Sequence, residues 1–115
     1  DVQLMVTIPV DPTGDRILVG RRDGSPFLDG TVGFGLRTGS SPGAAPGGAT
    51  FCHTITHHRI LATVAQVTSP TDGRATRALA SRLGLEDPAW IPLRGAGGRL
   101  ATALDRKALD RIKDG

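Results

Sequence analysis

Apolar residues recur at every second position near the start of the chain, at Val2, Leu4, Val6, Ile8 and Val10. A period of two predicts a β-strand with one buried face. Residues 11–14, Asp-Pro-Thr-Gly, carry turn chemistry, and the apolar run at 17–19 then predicts a returning strand. Phe27 and Leu28 are expected to be buried anchors, and residues 31–34 predict a short third strand.

The same alternation surrounds residues 51–60, Phe-Cys-His-Thr-Ile-Thr-His-His-Arg-Ile, which contain all three histidines and the only cysteine. We predict one strand over 49–55 and a second over 59–67, because apolar residues alternate on both sides. The polar stretch Thr56–Arg59 interrupts the alternation at the point where a chain would reverse. Polar tips on a rigid scaffold concentrate functional residues, so this tip is the candidate site.

The rest of the chain consists of a Gly- and Pro-rich segment followed by short segments that predict helices and a strand. Residues 37–49 are rich in Gly, Ser, Pro and Ala and show no periodicity, which predicts a flexible loop. A helix is predicted over 74–83, ended by Gly84 as its C-cap. Residues 86–93 are expected to form a turn that leads into a short strand.

A final helix is predicted to begin at Thr102, with Asp105 three residues later as a variant of the capping box. Leu104, Ala108 and Ile112 give this helix an apolar face. The resulting order, β-β-β-loop-β-β-α-β-α, predicts an α+β fold built on a mixed sheet. With 115 residues, the chain is expected to form a single domain.

Composition narrows the possible partners. The chain has 14 Lys and Arg against 11 acidic residues and a pI near 10.0, which suits a polyanionic partner or a solvated basic surface equally well. A single cysteine excludes internal disulfides. No apolar run approaches the roughly 18 residues of a membrane span, so no membrane partner is predicted.

Five segments together resemble a known family. Residues 17–22 (ILVGRR) and 27–34 (FLDGTVGF) resemble the opening of a Nudix-fold domain. Residues 53–57 (HTITH) resemble the "HTFSH" segment in the C-terminal domain of adenine DNA glycosylases of the MutY type. Residues 90–93 (WIPL) resemble that family's "WVPL", and residues 100–107 (LATALDRK) resemble its closing "LPTPxRK" helix.

The resemblance implies a Nudix-like mixed β-sheet flanked by helices, with a C-terminal helix and no catalytic residues. In that family the domain recognises 8-oxoguanine mispaired with adenine during base excision repair. The implied partners are double-stranded DNA containing the mispair and an upstream glycosylase domain. That upstream domain would carry the iron–sulfur cluster, and no cofactor is expected in this segment. The chain starts at Asp1, so we expect it to be the C-terminal part of a longer bacterial protein, located in the cytoplasm at the nucleoid.

Position by position, Thr56 stands where the family has its serine, His57 where it has its histidine, and Ile55 replaces an aromatic residue. Oxidation of guanine at C8 turns N7 into a donor and adds a carbonyl oxygen. The Thr56 hydroxyl can accept from N7–H, while a neighbouring backbone N–H or His57 can donate to the new oxygen. Plain guanine would leave these groups unpaired, at about 1–3 kcal/mol for each lost hydrogen bond. His58 and Arg59 complete the predicted DNA-binding tip.

Arg106 and Lys107 on the final helix are read either as phosphate contacts or as a solvated face. The chain also departs from the family pattern. Gly35 stands where the family has a proline, and the span from Phe34 to Phe51 has no helical pattern where the family usually has a helix.

Two other functions are disfavoured, and two are left open. A working Nudix hydrolase needs several glutamates to hold Mg²⁺, but Glu86 is the only glutamate and residues 37–49 contain no acid. Cys52 and the histidines alternate between strand faces with no carboxylate nearby, so no metal site is predicted. The alternatives that remain are a free-standing Nudix-fold binding or scaffold protein and a degenerate nucleotide hydrolase.

Overall fold

Seven strands, two α-helices and one 3₁₀ turn form the part of the chain that the computed structural model describes, which is residues 2–25, 27–38, 50–55, 57–100 and 102–113. In chain order these are β1 (Val2–Val10), β2 (Arg16–Arg22), β3 (Val32–Gly33), β4 (Gly35–Thr38), β5 (Thr50–Ile55), β6 (His58–Thr68), α1 (Gly73–Leu83), β7 (Leu85–Pro92), the 3₁₀ turn (Ala96–Arg99) and α2 (Ala103–Lys113). This order confirms the predicted α+β fold with a mixed sheet and a C-terminal helix.

Strand β1 is the centre of the sheet. One of its edges pairs in parallel with β6 over its whole length, from Val2 opposite Ile60 to Val10 opposite Thr68. Its other edge pairs antiparallel with β4 and, at Val10 and Ile17, with β2. The main strand order is β3-β2-β1-β6-β5, with β7 added to β2. The predicted turn joins β1 to β2, and Gly14 supplies its positive φ of 79°.

The hydrophobic core lies on one face of the sheet, beneath α2. Alternate residues of β1 and β6 point into it, as their period of two predicts. The buried side chains at its centre are Leu4, Val6, Ile8, Ile60, Ala62 and Val64 from the strands, and Leu104, Ala108 and Leu109 from α2. Phe27 and Leu28 are half-buried and pack against this core, so they are less enclosed than predicted.

Helix α1 begins one residue before the predicted start and ends where the sequence predicts, and α2 begins directly after the predicted Thr102. The Asp72 side chain accepts a hydrogen bond from the Ala75 amide at 2.9 Å, and Gly84 ends α1 in the left-handed region at φ 70°. At the start of α2, the Asp105 amide donates to Thr102 Oγ1 at 3.2 Å, and that hydroxyl donates to Asp105 Oδ2 at 2.5 Å. The predicted variant of the capping box is therefore present, with Asp105 bound to the Thr102 hydroxyl where a full capping box uses the backbone N–H.

Two strand predictions were wrong in their limits. Arg37 and Thr38 belong to β4 and not to a loop, because the free edge of β1 supplies their backbone partners. Residues 39–49, the remainder of the predicted loop, lie outside the described residues. The predicted strand at 31–34 is divided at Phe34, with β3 pairing β2 and β4 pairing β1.

Strand β7 is also longer than predicted. It begins at Leu85, directly after α1, and runs antiparallel to β2. The residues read as a turn, Glu86-Asp87-Pro88, lie in this strand beside a register shift between Val19 and Arg21. Such an irregularity accommodates turn-like residues without ending the pairing, which the sequence pattern alone does not show.

Candidate functional site

The polar tip joins two antiparallel strands. Strands β5 and β6 pair up to Ile55 opposite His58, so the chain reverses within two residues. The side chains of His57, His58 and Arg59 are exposed at this reversal. Thr56 lies outside the described residues, and only the backbone of Ile55 is described. The structure therefore places the predicted histidines and arginine together on one exposed hairpin.

One side of the tip is supported by the loop between β2 and β3. The rings of Phe27 and His58 meet edge to face, with centroids 5.7 Å apart and planes at 67°. This geometry places the positive edge of one ring against the negative face of the other. Phe27 is itself half-buried against the core, so its ring limits the orientations open to the His58 imidazole.

Helix α2 approaches the same hairpin through Lys107. Its ammonium group lies 2.9 Å from Nδ1 of His53, a half-buried residue two positions before Ile55. Burial lowers the pKa of His53 below its ordinary value, and the charge of Lys107 lowers that pKa further. The imidazole is therefore neutral near pH 7, and its Nδ1 accepts the hydrogen bond that Lys107 donates.

Removing the positive charge at Lys107 is expected to raise the pKa of His53. A Lys107→Gln variant loses the electrostatic cause and keeps the burial, so the pKa moves upward but stays below 6.5. The folded state favours neutral His53, so its stability contribution is complete above that ordinary pKa of 6.5 and is lost as the pH falls towards the lowered value. Imidazole NMR titration measures the shift. Lys107→Arg is the control that keeps the charge, and an unchanged or lower pKa in Lys107→Gln would contradict the contact.

Arg106 is positioned differently from Lys107. Its guanidinium donates a hydrogen bond to the Leu100 carbonyl at 3.0 Å, so it binds the segment that precedes α2. Among the described contacts, the structure brings Lys107 to the β5–β6 hairpin and leaves Arg106 exposed at the start of the helix. These two neighbours, which the sequence grouped together, therefore have separate surroundings.

A buried ion pair fixes α2 to the sheet, and the sequence analysis missed it. Arg22 at the end of β2 is only 2% exposed, and Asp105 in α2 is fully buried. The Arg22 guanidinium binds the Asp105 carboxylate, donates to the Phe34 carbonyl at 3.0 Å and donates to the Thr31 hydroxyl at 2.7 Å. Each of the three nitrogens of this charged group thus has a hydrogen-bond partner.

The carboxylate of Asp105 is satisfied as completely as the guanidinium. One of its oxygens accepts from the Phe34 amide at 3.2 Å, and the other accepts from the Thr102 hydroxyl. Gly33 lies against this pair, and a Cβ there would come within 2.2 Å of both the Arg22 and Asp105 side chains. The network positions α2, and with it Lys107, two residues beyond Asp105.

The described carboxylates do not form a metal site. No group of three or more His, Cys, Asp or Glu side chains is close enough to hold a metal ion within the described ranges. Glu86 and Asp87 instead bind Arg21, at 2.5 and 2.9 Å, on exposed side chains of β2 and β7. Hard cations such as Mg²⁺ need several convergent oxygen ligands. Within the same described residues, no helix has the length and hydropathy needed to cross a bilayer.

The described elements form a Nudix-like fold: a mixed sheet with a central parallel pair, the C-terminal helix α2 packed on one face and α1 beside the other. Solved structures share this fold with the chain. The MutT protein from Methanosarcina mazei Go1 superimposes with a TM-score of 0.66 at 12% identity, covering 98% of this chain and 93% of that protein.

Two further solved structures have the same fold. The C-terminal domain of mouse MUTYH, determined in complex with human PCNA, gives a TM-score of 0.61 at 12% identity, covering 99% of this chain and 88% of that one. A C. elegans Ap4A hydrolase in a binary complex gives 0.58 at 10% identity, covering 99% and 96%. No protein-family model matches the chain, and no curated protein matches it in sequence. The predicted resemblance to a Nudix-like domain is thus confirmed at the level of the fold.

Proposed function

We propose that this chain is a DNA-recognition module that reads 8-oxoguanine opposite adenine on behalf of an adenine DNA glycosylase. The observation that supports this most is the exposed β5–β6 tip, which is held from two directions. Phe27 contacts His58 from the β2–β3 loop, and Lys107 contacts His53 from α2. A reading site needs this kind of support, because its polar groups must be positioned before the base arrives.

The tip has suitable chemistry for an oxidised guanine. Thr56 would accept a hydrogen bond from N7–H, and the exposed His57 would donate to the oxygen on C8. Arg59 is exposed beside them and would contact a phosphate, which positions the module without reading sequence. Ile55 would provide an apolar wedge against the base. The whole chain would then supply recognition while an upstream domain cleaves the glycosidic bond.

Recognition of the oxidised base is expected to appear as a difference in binding affinity between two duplexes. The chain should bind an 8-oxoguanine:adenine duplex better than a guanine:adenine duplex, and Thr56→Val should reduce that preference by about fivefold to thirtyfold, the equivalent of 1–2 kcal/mol. His57→Ala should act in the same direction. Fluorescence anisotropy at low salt measures both affinities, since phosphate contacts weaken as salt rises.

Matched variants separate reading from general binding. Thr54→Val makes the same chemical change at an exposed residue of β5 and should leave the preference intact. Arg59→Ala should weaken both duplexes equally, as the loss of a phosphate contact does. A chain that binds the two duplexes equally well, before any substitution, would favour the free-standing binding or scaffold protein instead.

Nucleotide hydrolysis is the alternative that the MutT and Ap4A hydrolase structures favour. The carboxylates speak against it, because Glu86 and Asp87 are occupied by Arg21 and no described group could hold a metal. We expect no Mg²⁺-dependent release of phosphate or pyrophosphate from nucleoside triphosphates or dinucleoside polyphosphates. Turnover that disappears in a Glu86→Gln variant would establish the degenerate hydrolase and refute this expectation.

A further inference from the structure

The sheet face opposite α2 is incompletely covered. Alternate residues of β1 and β6 point to this face, and among them Met5 is half-buried while Leu61 and Val67 remain 42% and 36% exposed. These strands form the parallel pair of the sheet. Parallel strands are normally covered on both faces, so among the described residues this surface lacks a complete second layer.

A groove of about 650 Å³ lies between this face and α1. Its apolar walls come from Met5, Ala65 and Val67 on the sheet and from Leu79 and Leu83 on the helix. Beyond the groove, the same face of β6 continues past Thr63 to Leu61, a distance of about 20 Å from Val67 at 3.3 Å per residue. That length matches about 13 residues of α-helix and exceeds the size of a compact small molecule.

The charge in the groove is positive and unpaired. Arg37 from β4 and Arg82 from α1 both line it, and no carboxylate is among its described lining residues. Neither guanidinium has a hydrogen bond or ion pair with the rest of the described chain. Helix α1 contains no acidic residue between Gly73 and Leu83, so nothing on the helix offsets these charges. An occupant of this groove would therefore combine apolar side chains with carboxylates.

The neighbouring segment of the chain does not have that composition. Residues 39–49 connect β4 to β5 and consist entirely of Gly, Ser, Pro and Ala. They contain no large apolar side chain to cover Leu61 and Val67, and no carboxylate to pair with Arg37 or Arg82. This segment therefore does not supply the chemistry that fits the groove.

We propose that this face docks an amphipathic, acidic helix of a partner protein. The apolar side of that helix would lie on Met5, Leu61 and Val67, and its carboxylates would pair with Arg37 and Arg82. The docked helix would supply the missing layer of the sheet. Because the groove is on the face opposite α2, the module would bind this partner without covering Lys107 or the contact to His53.

A synthetic helix tests the proposal directly. The probe is a fluorescein-labelled peptide of about 14 residues with leucines on one face and glutamates elsewhere. We expect saturable binding, with Arg37→Gln and Arg82→Gln each weakening it about fivefold, as partly exposed ion pairs do. NMR titration should place the largest amide shifts at Ala65, Val67 and Leu79.

The controls vary the charge while keeping the apolar surface. Arg74→Gln removes an exposed arginine from the same helix outside the groove and should leave peptide affinity unchanged. A matched peptide with lysines in place of glutamates should bind much more weakly. The proposal is overturned if both peptides bind alike or if no binding occurs at millimolar peptide. It is also overturned if inorganic phosphate or ATP displaces the peptide and shifts the amide signals of the same residues. The last outcome would identify a small-anion site, and none of these results depends on DNA binding.

Discussion

Replacing Asp105 with alanine is expected to lower the free energy of unfolding by about 3–5 kcal/mol, because it leaves the buried Arg22 without its counter-charge. Arg22 is only 2% exposed, so water cannot take over the role of the carboxylate. The substitution also removes the acceptor for the Phe34 amide and half of the capping box at Thr102. The loss therefore combines an uncompensated charge with two unsatisfied donors.

Urea denaturation measures this loss, and two variants calibrate it. Asp110→Ala removes an exposed carboxylate from the same helix and should change stability by less than about 0.5 kcal/mol. The double variant Arg22→Met, Asp105→Leu replaces the pair with apolar groups and should recover much of the stability lost in Asp105→Ala. If Asp105→Ala were no more damaging than Asp110→Ala, the buried pair would have no structural role.

Adding one methyl group at Gly33 is expected to destabilise the fold by about 3 kcal/mol, since the site is already full. The Cβ of Gly33→Ala would lie 2.2 Å from the Arg22 guanidinium and from the Asp105 carboxylate. Neither group can move aside without breaking the hydrogen bonds that stabilise its buried charge. The expected result is a lower urea midpoint and a weakened attachment of α2.

Gly97→Ala provides the comparison, because a Cβ at Gly97 meets nothing within 4 Å. That variant should have close to the original stability, and it shares any general effect of replacing glycine. Gly33→Ala in an Arg22→Met, Asp105→Leu background should cost a different amount from the single change, because adjacent sites are not additive. Equal midpoints for Gly33→Ala and Gly97→Ala would show that the ion pair tolerates displacement.

Local sequence patterns were enough to predict the strands with a clear apolar alternation and the helices with clear capping residues. The alternation at β1 and β6 identified the core face, and Gly84 and Thr102 marked where α1 ends and α2 begins. Strand β4 was missed because Arg37 and Thr38 have no strand pattern of their own and are ordered by the open edge of β1. Strand propensity depends on such neighbours more than helix propensity does.

For the same reason, the sequence predicted the local part of the candidate site and not its long-range contacts. The hairpin tip with His57 and His58 follows from residues close together in sequence. The contact between Lys107 and His53 joins residues 54 positions apart, and that between Arg22 and Asp105 joins residues 83 apart. The burial of Arg22 was not predicted, because arginine is rarely fully buried without a partner and no local pattern reveals a partner at that distance.

The parallel pairing of β1 with β6 also determines when this protein can fold. Val2 pairs with Ile60, 58 positions later, and the ion pair at Arg22 closes only when Asp105 is available. Contacts of such high sequence separation carry a large loop-closure entropy and slow the folding rate. During translation, β1 therefore lacks its parallel partner until β6 has also been synthesised, and over that interval its alternating apolar face is exposed to water and to other chains. Synthesis and aggregation compete over that interval, so slower translation between β1 and β6 would expose the nascent chain to misassembly for longer.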